Sequence, residues 1–78
     1  MLNVRILTPS QLLFEGEADS ITLPGTVGSF TVLPGHAPII SSLEKGKVIC
    51  RIDDVVSEYV SNGGFVEVKN DTVSVCID

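Results

Sequence analysis

The sequence contains no tryptophan, one histidine and two alanines among its 78 residues. Basic residues are also scarce, since five lysines and arginines face ten carboxylates and give a formal net charge of −5. That sign is wrong for the phosphate-neutralising surface that nucleic-acid binding requires. No apolar run approaches the roughly 20 residues that a membrane helix needs. We therefore expect no nucleic-acid partner and no direct insertion into a bilayer.

Cysteines are equally few. Cys50 and Cys76 are far apart, with no C-x-x-C pair and no second histidine, so a four-ligand zinc site is not expected. The two residues could form a disulfide across the fold or act as small buried hydrophobic residues. Because the N-terminus runs into strand-like alternation without a secretory signal, we expect a cytosolic chain and favour the second interpretation.

The sequence offers little for catalysis. His36 is the one imidazole available to a nucleophile–base pair, but it lies in a rigid Pro-Gly-His-Ala-Pro segment, which favours a loop histidine that hydrogen-bonds to backbone. Glu15, Glu17 and Asp19 recur at every second position, which is typical of the solvated face of a strand. The glycines at 25 and 28 lack the Gly-Lys-Ser/Thr continuation of a phosphate loop. We predict no catalytic, cofactor or metal site.

Composition indicates an all-β chain. Valine, isoleucine and threonine supply 23 of the 78 residues, and branching at Cβ suits a pleated surface better than a helix. Seven glycines and four prolines interrupt the apolar segments at short intervals. This pattern predicts eight or nine short strands. Such strands bury an apolar face only by packing in two layers, so we expect a single β-sandwich or flattened barrel over residues 1–78.

Turn residues predict the connections. Asp53-Asp54 and Asn70-Asp71 should each close a hairpin, because these side chains bond readily to their own backbone. We expect Gly16 to act as a hinge between two extended pieces, Glu44-Lys45-Gly46 to form a turn, and Asn62-Gly63-Gly64 to form a bulge or tight bend.

The chain is unusually apolar for a small domain. Its hydrophobic content is 44% and its mean hydropathy is +0.38. Four apolar pairs break strict alternation: Leu12-Leu13, Ile39-Ile40, Val55-Val56 and Phe65-Val66. Either one member of each pair is exposed on a contact surface, or bulges at the glycines bury both members. The sequence leaves both interpretations open.

One long motif resembles a known family. Residues 23–38 read Leu-Pro-Gly-Thr-Val-Gly-Ser-Phe-Thr-Val-Leu-Pro-Gly-His-Ala-Pro, which is similar to the signature of the epsilon subunit of F-type ATP synthases. Further matches lie at Leu7-Thr8-Pro9, at residues 14–17, at residues 61–68 and at residues 73–75. The resemblance covers nearly the whole chain.

The resemblance implies a flattened ten-stranded β-sandwich on the rotating central stalk. Such a domain contacts the gamma subunit and the polar loops of the c-ring, and it helps couple ring rotation to ATP synthesis in a proton-driven enzyme. It would be peripheral, at the cytoplasmic face of the inner membrane. It would have no active site, no cofactor and no small-molecule substrate of its own.

The resemblance also implies partner-binding residues. Those on the c-ring side are Thr26, Gly28, Ser29 and Phe30, and those on the gamma side are Thr8 and His36. The position after Gly28 is often acidic in the family, whereas here it is Ser29. The ring contact would then depend on backbone and shape, or on another acid.

A second departure concerns the C-terminus. Family members commonly continue into a helical hairpin that can inhibit hydrolysis or bind ATP, but this sequence stops at Asp78. We therefore expect these residues neither to bind nucleotide nor to inhibit. The main alternative is a free-standing β-sandwich that binds a small ligand, although the absence of tryptophan and the single Tyr59 disfavour sugars. A small hydrolase built on His36 is a third possibility.

Overall fold

Seven β-strands and no helix make up the chain, which we describe over residues 1–78 from a computed structural model. The all-β class predicted from composition is confirmed. The strands are β1 (Leu2–Leu7), β2 (Leu12–Ala18), β3 (Ser20–Gly25), β4 (Gly28–Val32), β5 (Ile39–Ile52), β6 (Val55–Lys69) and β7 (Thr72–Ile77).

The strand count is lower than expected, because two of the strands are long. We predicted eight or nine strands from the residues, and the resemblance implied ten. However, β5 has 14 residues and β6 has 15, so each replaces two predicted strands. Their antiparallel pairing keeps one register from Ile39↔Val68 to Ile52↔Val55. The expected turn at residues 44–46 is therefore wrong, since Lys45 and Gly46 pair with β6 inside the ladder.

All seven strands join in one hydrogen-bonded order, β2-β1-β7-β6-β5-β3-β4. Neighbours are antiparallel except β1 and β7, which are parallel. The N-terminal half of β5 and the C-terminal half of β6 continue the β2-β1-β7 side. Their other halves continue the β3-β4 side. One continuous sheet thus supplies both layers.

The core shows that the sheet folds over on itself. Strands β1 and β3 lie far apart in the strand order, yet their alternate side chains belong to the same buried cluster. Phe14 of β2 and Tyr59 of β6 also come together, with ring centroids 6.3 Å apart. A single flat sheet would leave one apolar face exposed to water, and the folded sheet buries both inner faces instead. The 15 core residues are Leu2, Val4, Ile6, Ala18, Ile21, Leu23, Val32, Leu43, Val48, Cys50, Val66, Val68, Val73, Val75 and Ile77.

The bend between layers in β6 depends on two glycines. Gly63 and Gly64 have φ of 124° and 134°, a region that other residues rarely adopt. A Cβ on Gly64 would overlap the carbonyl oxygen of Cys76 on β7. The predicted tight bend is confirmed, and no bulge accompanies it, because the register with both neighbours is unbroken. Ser61 is the only buried polar residue, and its hydroxyl donates to the carbonyl of Glu44 at 3.2 Å.

The two predicted hairpin turns are confirmed. Asp53-Asp54 joins β5 to β6 and Asn70-Asp71 joins β6 to β7. The hinge expected at Gly16 is wrong, since β2 runs straight through that residue, which pairs with Val4. The chain instead breaks at Asp19, whose N–H donates to the carbonyl of Arg51 at 2.8 Å.

Each of the four apolar pairs has at least one exposed member, as the first of the two interpretations predicts. Ile40, Val55, Val56, Leu12 and Phe65 are all exposed. Because neither Gly16 nor the Gly63-Gly64 bend shifts the register, each of these residues stays on the outer side of its layer or at a strand end. The chain therefore presents apolar surface to its surroundings.

Candidate partner-binding sites

The tip of the β3–β4 hairpin carries the residues predicted for the c-ring side. Gly25 and Gly28 pair with each other and enclose a two-residue turn, in which Val27 is fully exposed. Gly28 has φ of 149°, which closes this turn, and a Cβ there would meet nothing within 4 Å. The Thr26 N–H donates to the carbonyl of Ser42 at 3.1 Å and anchors the turn on β5. The tip is therefore exposed and uncharged, and its hydrogen bond to Ser42 holds it against β5.

Phe30 differs from the other predicted ring-side residues. Thr26, Gly28 and Ser29 are exposed, but the Phe30 side chain is half-buried and packs against the core. A Cβ on Gly25 would lie 2.9 Å from the Phe30 ring, so that position has room only for glycine. Phe30 thus supports the tip from inside while part of its ring stays accessible.

His36 lies in the loop between β4 and β5 and hydrogen-bonds to its backbone. The His36 N–H donates to the carbonyl of Leu33 at 3.1 Å, and its ring Nδ1 lies 2.7 Å from the carbonyl oxygen of Ala37. The loop is tied to the β6–β7 turn by the Gly35 N–H, which donates to Asp71 Oδ1 at 2.7 Å. The prediction that His36 hydrogen-bonds to backbone is confirmed.

Thr8 organises the turn that follows β1. Its backbone N–H donates to the carbonyl of Gln11 at 2.8 Å, while its Oγ1 accepts the Gln11 N–H at 3.1 Å. The side chain is half-buried. Thr8 therefore shapes the loop, and this structural role was not apparent from the sequence.

The structure places Thr8 and His36 at opposite ends of one layer. Thr8 follows Leu7, which pairs with Cys76, whereas the His36 loop contacts Asp71, whose carbonyl accepts the Asn3 N–H. Asn3 and Thr8 are five residues apart on an extended chain, or roughly 17 Å at about 3.3 Å per residue. A partner that touches both residues must span the whole layer.

A groove beside Thr8 contains Phe65, which was not among the predicted partner-binding residues. Its volume is about 260 Å³ and its lining includes Leu7, Thr8 and the half-exposed ring of Phe65. Phe65 pairs with Cys76, so the groove continues across β7. The signal for this residue was present in the apolar Phe65-Val66 pair. A second groove of about 390 Å³ lies at the opposite edge, beside Ile40, Glu67 and Lys69.

The remaining chemistry is sparse. No group of three or more His, Cys, Asp or Glu side chains lies close enough to hold a metal ion. Both cysteines are free, and Cys50 is buried whereas Cys76 is half-buried. Burial raises the pKa of the Cys50 thiol above its ordinary value. The structure contains no helix that is long and apolar enough to cross a membrane.

Comparison with known families identifies the domain. The family described as "ATP synthase, Delta/Epsilon chain, beta-sandwich domain" matches residues 1–78. The chain belongs to this family. The match accounts for the two-layered all-β fold, and it confirms the resemblance read from residues 23–38.

Relatives in the family are similar along the whole chain. The ATP synthase epsilon chain of Leptospira borgpetersenii is 40% identical over 77 residues, which cover 99% of this chain and 61% of the relative. The epsilon chain of Citrifermentans bemidjiense is 43% identical over 77 residues, covering 99% of this chain and 56% of the relative. The chain thus spans little more than half the length of these relatives.

Solved structures share the fold. A chain of the Euglena gracilis mitochondrial ATP synthase, from a complex described as OSCP/F1/c-ring, superposes with a TM-score of 0.91 at 22% identity. The alignment covers 97% of this chain and 49% of that one. A chain of the Tetrahymena thermophila central stalk/c-ring structure gives a TM-score of 0.82 at 18% identity, covering 97% and 62%. At these identities the likeness establishes the fold.

Proposed function

We propose that this domain is a non-catalytic part of the central stalk of a proton-driven F-type ATP synthase. In that role it holds the gamma subunit against the c-ring and so helps couple ring rotation to ATP synthesis. The observation that carries the proposal is the family match over residues 1–78. The names of the relatives, which are ATP synthase epsilon chains, support it.

The placement of the two predicted sites supports a role between two partners. The c-ring side is the exposed tip that contains Val27 and Ser29, while the gamma side lies along the layer between Thr8 and His36. The tip extends from β3 and β4, which end the strand order at the side opposite β1 and β2. We propose that gamma and the ring bind these two sets of residues at the same time.

A domain in this position must transmit force without deforming. Its core is a single packed cluster, and no buried side-chain nitrogen or oxygen lacks a hydrogen-bond partner. Close-packed interiors have low compressibility. The domain can therefore act as a stiff element, which is the property that a rotor contact needs.

Electrostatics would help to select a basic partner surface. Three of the five basic side chains are already in surface ion pairs: Arg5 with Glu15, Lys47 with Glu58, and Arg51 with Asp54. With ten carboxylates in the chain, most of the acids have no cation beside them. Near the tip, Glu44 follows Leu43, the pairing partner of Gly25, and is exposed. We propose that Glu44 supplies the acid that Ser29 lacks.

In the cell the domain would lie at the cytoplasmic face of the inner membrane. It would be a peripheral component held there by the complex, through the polar loops of the c-ring. It would need no cofactor and no small-molecule substrate for this role.

The test is binding to a purified gamma–c-ring complex, measured by surface plasmon resonance at two salt concentrations. We expect tight binding by the unmodified chain, and at least tenfold weaker binding by Val27→Asp at the tip. Val55→Asp is the matched control, because Val55 is also an exposed valine but lies at the β5–β6 hairpin. Glu44→Gln should flatten the salt dependence.

Two results would contradict the proposal. The first is the absence of binding by the unmodified chain, which would remove the rotor role altogether. The second is equal weakening by the two valine variants, because the tip would then have no special part in the contact.

A further inference from the structure

Asp71 occupies a backbone position that favours glycine. It is the second residue of the two-residue turn between β6 and β7, where Asn70 has φ of 50° and Asp71 has φ of 59°. Two consecutive positive φ angles define a type I′ turn, for which Asn-Gly is a preferred sequence. Asparagine is therefore well placed at 70, but aspartate at 71 costs free energy relative to glycine. Such an outlier points to a role for the side chain.

The side chain of Asp71 has a specific contact. Its Oδ1 accepts the Gly35 N–H at 2.7 Å, across a sequence separation of 36 residues. A carboxylate acceptor makes this a charge-assisted hydrogen bond, which is shorter and stronger than a neutral one. The Asp71 carbonyl separately accepts the Asn3 N–H at 2.8 Å. A glycine at 71 would keep the bond to Asn3 and would lose only the bond to Gly35.

Gly35 precedes His36, so the contact fixes the histidine loop. Within that loop the His36 Nδ1 lies 2.7 Å from the Ala37 carbonyl oxygen. A carbonyl oxygen only accepts, so Nδ1 carries the proton of this bond. In the neutral imidazole, Nε2 is then the acceptor. No other side chain or backbone group of the chain bonds to this ring, which is half-buried.

We infer that Asp71 is a positioning residue that holds the His36 loop so that Nε2 accepts a hydrogen bond from a donor on the gamma subunit. This inference rests on the proposed function, and it names the partner chemistry on the gamma side. The carboxylate of Asp71 orders a loop that belongs to the contact, which accounts for an aspartate at a position where glycine would be less strained.

Two variants separate positioning from folding. Asp71→Gly creates the favoured Asn-Gly turn and removes the acceptor, whereas Asp71→Asn keeps a side-chain oxygen and tolerates positive φ. Three properties are measured: the melting temperature, the amide exchange of Gly35 with the ¹⁵N shifts of the His36 ring, and the affinity for gamma. His36→Ala measures the contribution of the ring itself.

For Asp71→Gly we expect an unchanged or higher melting temperature, about tenfold faster Gly35 exchange and an affinity for gamma about tenfold lower. For Asp71→Asn we expect both effects to stay within about threefold. His36→Ala should lower the affinity at least as much as Asp71→Gly. Binding would thus fall while stability is unchanged or higher, a combination that a purely structural role does not produce.

A fall in melting temperature for Asp71→Gly, or unchanged Gly35 exchange, would overturn the inference. If the exchange and ring shifts change but the affinity for gamma does not, the inference also fails. In that case the proposed function still holds, provided that Val27→Asp weakens ring binding. If the unmodified chain binds neither gamma nor the ring, both the proposed function and this inference are overturned.

Discussion

Replacing Gly64 by alanine should destabilise the domain more than any other single methyl addition at a positive-φ glycine. Gly64 pairs with Leu43 on one side and Ile77 on the other, so its backbone has strands at both edges. An added Cβ would overlap the Cys76 carbonyl oxygen and lie 2.9 Å from the Ile77 Cα. Both obstacles are backbone atoms of a paired strand, which cannot rotate away as a flexible side chain does.

The magnitude follows from two contributions. The φ of 134° is strained for alanine, which costs about 1–3 kcal/mol. The overlap with β7 forces a backbone shift, at about 1–3 kcal/mol or more. We expect a total loss of about 3–5 kcal/mol. A domain of this length has a free energy of unfolding of about 4–12 kcal/mol. Gly64→Ala should therefore remove a large part of the stability of the domain.

Gly28→Ala is the matched control, because it adds the same methyl group at a similar φ of 149° with nothing within 4 Å. Its loss of stability should come from the strained φ alone, because the added methyl group overlaps no other strand. Urea denaturation measures both variants. With a slope of about 1 kcal/mol per molar urea, the midpoint of Gly64→Ala should lie about 2 M below that of Gly28→Ala. Midpoints within about 0.5 M of each other would refute the steric argument.

Four further predictions concern other side chains. Phe30→Ala should cost about 2 kcal/mol, which is less than for a fully buried ring, and should also weaken ring binding; chemical denaturation and the binding assay measure the two effects. Phe65→Ser should change the free energy of unfolding by less than about 1 kcal/mol, since half of its side chain is exposed, but should weaken binding to gamma; unchanged binding would exclude the groove from the contact. Iodoacetamide should label Cys76 before the buried Cys50, and mass spectrometry after partial labelling gives the order. Because burial raises the pKa of the Cys50 thiol, the unfolded chain ionises first, near pH 8.5. The stability that Cys50 contributes is then fully present below that pH and decreases as pH rises toward the folded-state pKa. Cys50→Ala should have a flatter pH dependence between about pH 8 and 10.

Local turn chemistry predicted the parts of the fold that depend on neighbouring residues alone. The turn at Asn70-Asp71 and the turn at Asp53-Asp54 were both predicted, because aspartate and asparagine side chains bond readily to their own backbone. The segment at residues 44–46 shows the limit of this reasoning. Its composition is typical of a turn, but pairing with β6 keeps it extended. Gly16 was misread for the same reason, since pairing with Val4 keeps β2 straight there.

The residues of the candidate sites could be predicted from the sequence, but their arrangement in space could not. The exposure of the tip at Val27 follows from its place between two glycines. In contrast, the separation of Thr8 from His36 depends on β1 pairing parallel with β7, a long-range contact that no local pattern encodes. The carboxylate of Asp71 beside Gly35 is similarly nonlocal. Only the folded chain brings those two residues together.

The long β5–β6 ribbon, which keeps a single register, has a mechanical consequence. Its 13 ladder pairs run from Ile39↔Val68 to Ile52↔Val55 and pass through both halves of the domain. Ladder bonds lie across the strand direction, so a pull along the ribbon loads many of them at once instead of opening them one by one. The ribbon that the two halves share therefore resists sliding of one half past the other. Sequence changes that cut the ribbon would weaken this resistance without removing a single core side chain.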